Sequence, residues 1–310
     1  MRIIFMGTPD FAVPTLKALI KSSHEVVAVF TQPDKAVGRK QILTPPPVKV
    51  AAKEAEIPVY QPISLKNDDI VNCIKEFNPD VIVVVAYGKI LPEAILSIPK
   101  YGCINGHASL LPRHRGASPI QWSIVCGDKT TGVTTMLMEK GLDTGDMLLK
   151  EEVVIGDNET GEELHDKLSE ITSSLMLNTL LGVEKGDIIP QKQDDSFSTY
   201  APIITREMGY IDFSKSANEI HNLIRGFYSW PAAYFYLDGK RIKVLAAKLS
   251  GKTNEPFGTI IDSDNELIVA CCDGNSISLI EIQAEGSKRM LAKDYLKGHS
   301  IEKGTVITRE

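Results

Sequence analysis

The sequence predicts an α/β protein in which an open, mostly parallel, Rossmann-like sheet is followed by a smaller β-barrel domain, OB-like in type. Three observations carry that expectation. β-Branched runs alternate with stretches of helical period through the first half of the chain. The run DVIVVVAYG (80–88) is apolar without alternation, which suits a parallel strand covered on both faces. After a polar, aperiodic stretch, the chain turns into several short strands with turn signals between them, the pattern of a small barrel.

Taken in order, RIIFMG (2–7) and EVVAVF (25–30) read as strands. Between them VPTLKALIKSS carries apolar residues at helical spacing behind Pro14, whose fixed φ suits a first turn. Helices are expected near 48–56 and 68–77 with IPVYQP between them; the strand at 80–88 follows, and GCI (102–104) resembles the end of another. GVTTMLME reads as a further strand. TGEELHDKLSEITSSLMLNTL reads as a helix opened by a capping box from Thr160 to Glu163, with Leu164, Leu168, Ile171 and Leu175 on one face. That helix closes a first domain, residues 1–189. Residues 190–206 (PQKQDDSFSTYAPIITR) are polar, carry two prolines and read as a surface linker. The second domain, 207–310, opens with a helix capped by Ser216 and Glu219 and bearing Ile220, Leu223, Ile224 and Phe227. A hairpin turned at Asp238-Gly239 follows, and GTIID, ELIVACC and SISLIEI add short strands.

Bulk properties narrow the class. A length of 310 residues fits two domains at about 100–200 residues each, and 43% hydrophobic with 24% charged residues is a globular composition without repeats. The N-terminus reaches Gly, Pro and Asp too early for a signal peptide, and no apolar run attains the ~20 residues of a membrane span, so a cytoplasmic location is expected. Cys73, Cys103, Cys126, Cys271 and Cys272 lack metal-type spacing and read as small hydrophobes in a reducing compartment; no metal is expected. A net charge of −6 argues against indiscriminate nucleic-acid binding but leaves room for a locally basic face.

The chemistry-bearing residues gather after strands. MGTPDF follows the first strand without the Gly-x-Gly-x-x-Gly fingerprint, so dinucleotide oxidoreduction loses its main feature. Asn105 and His107 follow GCI, where ligands gather in an open parallel sheet. An amide can donate to a developing oxyanion, and an imidazole can stabilise charge or move a proton once its orientation is fixed. Asp143, in GLDTGD after another strand, is the candidate to orient it. The alternative is that Asn105 and Asp143 are loop caps and His107 is structural. The conjunction of all three at strand ends, with no Ser or Cys nucleophile motif, favours direct acyl transfer between two bound substrates.

MGTPDFA, FTQPDKAVGR, VVVAYGKILP, NGHASLLPRHRGASPIQW and GLDTGDML, in that order, resemble the methionyl-tRNA formyltransferases, and IDFSKSANEIHNLIRGFYSWPAAYFYLDGKRIK extends the likeness into the second domain. The Asn-x-His and SLLP elements are shared with other 10-formyltetrahydrofolate enzymes. The resemblance implies a formyltransferase-type sheet, a catalytic set of Asn105, His107 and Asp143, and a folate site lined by Ser109, Leu110, Leu111 and Pro112. It implies 10-formyltetrahydrofolate as co-substrate and initiator methionyl-tRNA as partner, with no obligatory protein partner. Arg113 and Arg115 would hold the loop or meet anionic groups.

Residues 34–49 form a connection longer than usual, expected to be mobile, and Lys35, Arg39 and Lys40 on it are expected to meet tRNA. Two departures stand out. Gly106 replaces the family's usual branched apolar residue, suggesting backbone freedom and a less rigid site, and His114 replaces a frequent aromatic. GFYSWP in the second domain likewise differs from the commoner AFNPWP. Two other readings stay open: another formyl-folate enzyme, acting on a nucleotide sugar or on the folate itself, and a tRNA-binding protein without activity.

Overall fold

The computed structural model describes residues 1–38 and 40–308. The chain divides into two compact units, one comprising Met1–Pro119, Thr131–Val153 and His165–Ala201, the other Ile120–Thr130, Val154–Leu164 and Pro202–Glu310.

The opening β–α–β unit forms as expected: β1 (Arg2–Gly7), α1 (Val13–Lys21) and β2 (Glu25–Phe30). The long connection after it contains a small antiparallel hairpin, β3 (Lys35–Val37) with β4 (Ile42–Thr44), where the sequence suggested a mobile loop. Then come α2 (Pro47–Glu54), β5 (Val59–Tyr60), α3 (Asp68–Glu76), β6 (Val81–Val85), α4 (Glu93–Leu96) and β7 (Cys103–His107). β8 (Arg115–Gly116), α5 (Pro119–Val125), β9 (Thr130–Leu137), β10 (Met147–Val154) and α6 (Gly161–Lys185) follow. The principal sheet has the order β10-β9-β7-β6-β1-β2-β5. β7, β6, β1, β2 and β5 are parallel, while β9 runs antiparallel to β7. Winding therefore proceeds outward in both directions from β1 and β6, and the crevice beyond the carboxyl ends at such a reversal is where open α/β sheets take ligands. All five residues of β6 are buried, as its unbroken apolar run requires. On one face Ile4, Met6, Ala28, Phe30, Ile82, Val84 and Cys103 pack with Val71 and Ile74 of α3 and Ile95 of α4.

The polar stretch read as a linker is tied into the first unit as far as Ala201. Gln191 exchanges backbone hydrogen bonds with Met147, and β11 (Tyr200–Ala201) pairs in parallel with β8. In the second unit α7 (Ala217–Gly226) carries the expected capping box, Ser216 Oγ accepting from the Glu219 amide while the Glu219 carboxylate accepts from the Ser216 amide. β12 (Ala233–Leu237), β13 (Lys240–Lys252), β14 (Ile260–Asp262), β15 (Leu267–Ala270), β16 (Asn275–Ala284) and β17 (Met290–Leu291) form one antiparallel, barrel-like sheet, and α8 (Ala292–Leu296) completes the unit. Asp238 and Gly239 both have positive φ (49° and 68°), as a two-residue hairpin turn demands. Register shifts along β13 bend it between its neighbours, and Ile220 and Ile224 of α7 close the core against Val244, Val269 and Ile282. Among the described residues no helix is long and apolar enough to cross a membrane.

Two polar residues of α7 are buried one turn apart. Arg225 donates through Nη1 to the carbonyls of Gly156 (3.1 Å) and Glu159 (3.0 Å) and through Nε to Asn222. His221 is buried, and burial first, then the Arg225 charge, lowers its pKa below the ordinary 6.5. The folded chain therefore keeps His221 neutral at pH values where the unfolded chain protonates it. Its stabilising contribution is complete above about pH 7 and is lost as pH falls through 6.5 toward the lower folded value. Thermal unfolding followed between pH 8 and 5 should show a midpoint that falls on acidification, less steeply in His221→Gln than in the parent. Identical slopes would contradict this.

Candidate active site

Residues two apart on a strand share a face, so Asn105 and His107 lie on the same side of β7 as Cys103, whose thiol is deep in the core. The strand is locked on both edges, Asn105 opposite Val84 of β6 and Met136 of β9, and His107 opposite Thr134. Asn105 is half-buried, and its side-chain amide makes no hydrogen bond among the described residues. It is a free donor within a rigid strand.

His107 is buried at 6% exposure. Its Nε2 lies 2.9 Å from the carbonyl oxygen of His114, which can only accept, so Nε2 carries the hydrogen. Its Nδ1 thereby faces Asp143, with Oδ2 at 3.7 Å, an ion-pair distance too long for a direct hydrogen bond. The sequence-expected trio thus gathers at the β7 end, Asn105 beside His107 on the strand and Asp143 across from the ring.

Asp143 is held by groups far away in the chain. Its Oδ2 accepts from the Gly116 amide at 2.8 Å, and its own carbonyl accepts from Gln193 Nε2 at 2.8 Å, as does the Gly145 carbonyl. Gln193 Oε1 in turn accepts from Arg115 Nε (3.0 Å) and Nη2 (2.8 Å), and Nη2 also reaches Asp195 at 2.7 Å. The Arg115 guanidinium therefore serves to hold the loop. The loop itself is fixed by backbone bonds: His114 N to Thr199 Oγ1, Arg115 N to the Thr199 carbonyl, and Ala117 N to the Ala201 carbonyl. Gln193 and Thr199 were missed by sequence reasoning, since no local pattern marks a side chain whose partners lie some 50 or more residues away.

The SLLP segment is a tight turn with a cis Leu111–Pro112 bond. Ser109 and Leu111 are buried, Leu111 against Met136 and Met147. Thr134 Oγ1 accepts from Leu111 N and donates to the Ser109 carbonyl, Ser109 Oγ donates to the Arg113 carbonyl, and Lys150 Nζ donates to the Leu111 carbonyl. The polar groups of Ser109 and Leu111 are thus committed to the turn, leaving Leu110 and Pro112 half-exposed.

Lys35 and Lys40 are exposed on the β3–β4 hairpin; Arg39 lies outside the described residues. At its base Lys49 pairs with Asp34 (2.7 and 2.8 Å), and Gln61 also donates to Asp34 (2.8 Å), contacts that lower the Asp34 pKa, the Gln61 bond foremost. Lys49 is therefore committed to the hairpin base.

Comparison with known proteins gives the family and the fold. The profile of the formyl transferase family matches residues 1–180, and that of the formyl transferase C-terminal domain matches residues 203–300. A methionyl-tRNA formyltransferase of Caldanaerobacter subterraneus subsp. tengcongensis is 51% identical over 309 residues, covering 99% of this chain and 100% of its own length. One from Clostridioides difficile is 49% identical over 308 residues, covering 99% and 100%. Among solved structures, the N-formyltransferase of Helicobacter canadensis in complex with folinic acid and dTDP-3-aminofucose aligns with a TM-score of 0.69 at 18% identity, covering 89% of this chain and 98% of that one, a likeness of fold.

Gly106 has a packing role where the sequence suggested backbone freedom. A Cβ there would sit 2.7 Å from Thr172 Cγ2 and 3.4 Å from Met176 Cε, both on α6. Gly106→Val should therefore overpack the interface and destabilise by about 1–3 kcal/mol, and adding Thr172→Ala should recover part of the loss. Denaturant unfolding of the two single variants and the double variant checks this; strictly additive losses would contradict the steric coupling.

Proposed function

The chain belongs to the methionyl-tRNA formyltransferase family, and from that premise we infer that it moves a formyl group from N10 of 10-formyltetrahydrofolate to the α-amine of methionine esterified to initiator tRNA, for translation initiation. The observation that carries the mechanism is the uncommitted Asn105 amide beside a His107–Asp143 pair at one strand end.

An α-amine with a reference pKa of about 7.7–8.0 is partly neutral at cellular pH and attacks without a strong base. In the proposed site Asn105 donates to the formyl oxygen as negative charge develops there. His107 Nδ1, with Asp143 beside it, takes the proton that the amine gives up as the new C–N bond forms, and N10 of the folate takes up a proton as its bond to the formyl carbon breaks and tetrahydrofolate leaves. Of the SLLP turn, Leu110 and Pro112 border the flat folate ring, while Ser109 and Leu111 act by fixing the turn's shape. Residues 1–189 carry the chemistry, 190–206 join the domains and 207–310 bind tRNA; the protein works in the cytoplasm. Lys35, Arg39 and Lys40 meet the acceptor end, with support from Lys240, Arg241 and Lys243 on the second unit's hairpin.

Single replacement of Asn105, His107 or Asp143 by Ala should lower kcat by at least about 100-fold with folding intact, and double replacements should add far less than the product of the singles. Steady-state formylation of charged initiator tRNA is the measurement; near-parent kcat in any one variant removes that residue from the mechanism.

For the tRNA contact, Lys35→Ala/Lys40→Ala should raise the KM for charged tRNA and flatten its salt dependence by about one log unit per lost phosphate contact, leaving the folate KM unaltered. An unchanged slope would place the hairpin away from tRNA.

A further inference from the structure

Tyr200 is an aromatic residue exposed at 64% yet anchored directly beside the candidate catalytic cluster. The backbone around it is fixed on both sides, because the Thr199 carbonyl accepts from Arg115 N and the Ala201 carbonyl accepts from Ala117 N, both at 2.9 Å. Its ring lies against Gly116, the residue whose amide donates to Asp143 Oδ2. Gly116 has φ of 120°, and a Cβ there would stand 2.8 Å from Tyr200 Cε2 and 2.6 Å from the Ala201 carbonyl oxygen, so only glycine admits the ring in this place. An exposed ring on a hydrogen-bonded backbone can bind a flat partner with little further loss of conformational entropy.

We propose that the Tyr200 ring is a stacking platform for the terminal adenine of the tRNA substrate. The inference rests on the reaction proposed above. In that substrate only the ester and one carbon separate the reacting amine from the terminal ribose, so when the amine reaches His107 and Asp143 the terminal base must lie against the wall beside them. Gly116 and Tyr200 are part of that wall, and a base's π-face needs no side-chain-specific hydrogen bond to bind such a ring. The methionine side chain is a poorer occupant, since a ring open to solvent over most of its surface cannot enclose a thioether. The pterin ring is the other flat candidate and is separated by the test.

The experiment uses the full chain as parent, Tyr200→Ala, Tyr200→Phe and Tyr200→Trp. With charged initiator tRNA, Tyr200→Ala should raise KM about tenfold, equivalent to about 1.4 kcal/mol and within the range of one stacked base, while Phe and Trp stay within about twofold of the parent. The KM for 10-formyltetrahydrofolate and kcat should stay within about twofold in all three. Uncharged initiator tRNA, as competitive inhibitor and by direct binding, should lose about tenfold affinity for Tyr200→Ala. The same tRNA trimmed of its terminal adenosine should bind parent and variant alike, because the platform's partner is gone.

Equal losses with intact and trimmed tRNA, an increased folate KM, or a fall in kcat alone would each overturn the platform; the last would make the ring a support for Asp143. A parent enzyme that binds tRNA but does not formylate it would strike the proposed reaction instead, and the binding comparison would still decide the platform.

Discussion

The site depends on one constraint, the pairing of the 114–117 loop with residues 199–201. Those few backbone bonds set the His114 carbonyl against His107 Nε2 and the Gly116 amide against the Asp143 carboxylate. The first spans seven residues and the second 27, and the Thr199 anchor of His114 lies 85 residues away. Without them His107 would lose the acceptor that fixes its tautomer, and Asp143 the donor that aims its carboxylate.

The two sides of the site are built differently. Asn105 and His107 stand on a strand bonded along both edges, backed by α6 at a distance that only Gly106 permits. Asp143 is a loop residue in left-handed backbone (φ 54°), and His114 shares that conformation (φ 57°). For residues other than glycine that conformation costs about 1–2 kcal/mol each. Here the hydrogen bonds that Gly116 and Gln193 donate to Asp143, and that His114 donates to Thr199 Oγ1, offset it. In the proposed mechanism, rigid placement of Asn105 as oxyanion donor and an externally braced proton acceptor together meet what acyl transfer between two bound substrates needs.

Much of this was legible in the sequence because it is written in short-range patterns. The β1–α1–β2 unit, the apolar run of β6, the capping boxes at Thr160/Glu163 and Ser216/Glu219 and the Asp238-Gly239 turn each arise from residues within a few positions of one another. Asn105 and His107 were expected just after a strand; they stand on β7 itself, whose polar last residues gave no strand signature. Other elements were hidden. β10 carries Lys150, Glu151 and Glu152 among its apolar residues at the sheet edge and so lacks a clean strand signature. The β3–β4 hairpin is too short to show a period. Gln193 and Thr199 sit in text that reads as linker, because their role is defined wholly by partners distant in sequence. Gly106 looked like freedom, and only the proximity of Thr172 shows it to be close packing.

The proposed role of His107 depends on how the loop orients its ring, and nitrogen NMR of the His107 ring in the free protein, in its neutral form, reads that directly. The geometry predicts hydrogen on Nε2, bonded to the His114 carbonyl, with bare Nδ1 turned toward Asp143. Replacing Thr199 by Val should weaken that tautomeric preference, since the hydroxyl that anchors His114 is lost. Hydrogen found on Nδ1 in the parent protein would contradict the account, because the His114 carbonyl would then have no donor and the loop could not be what aims the ring.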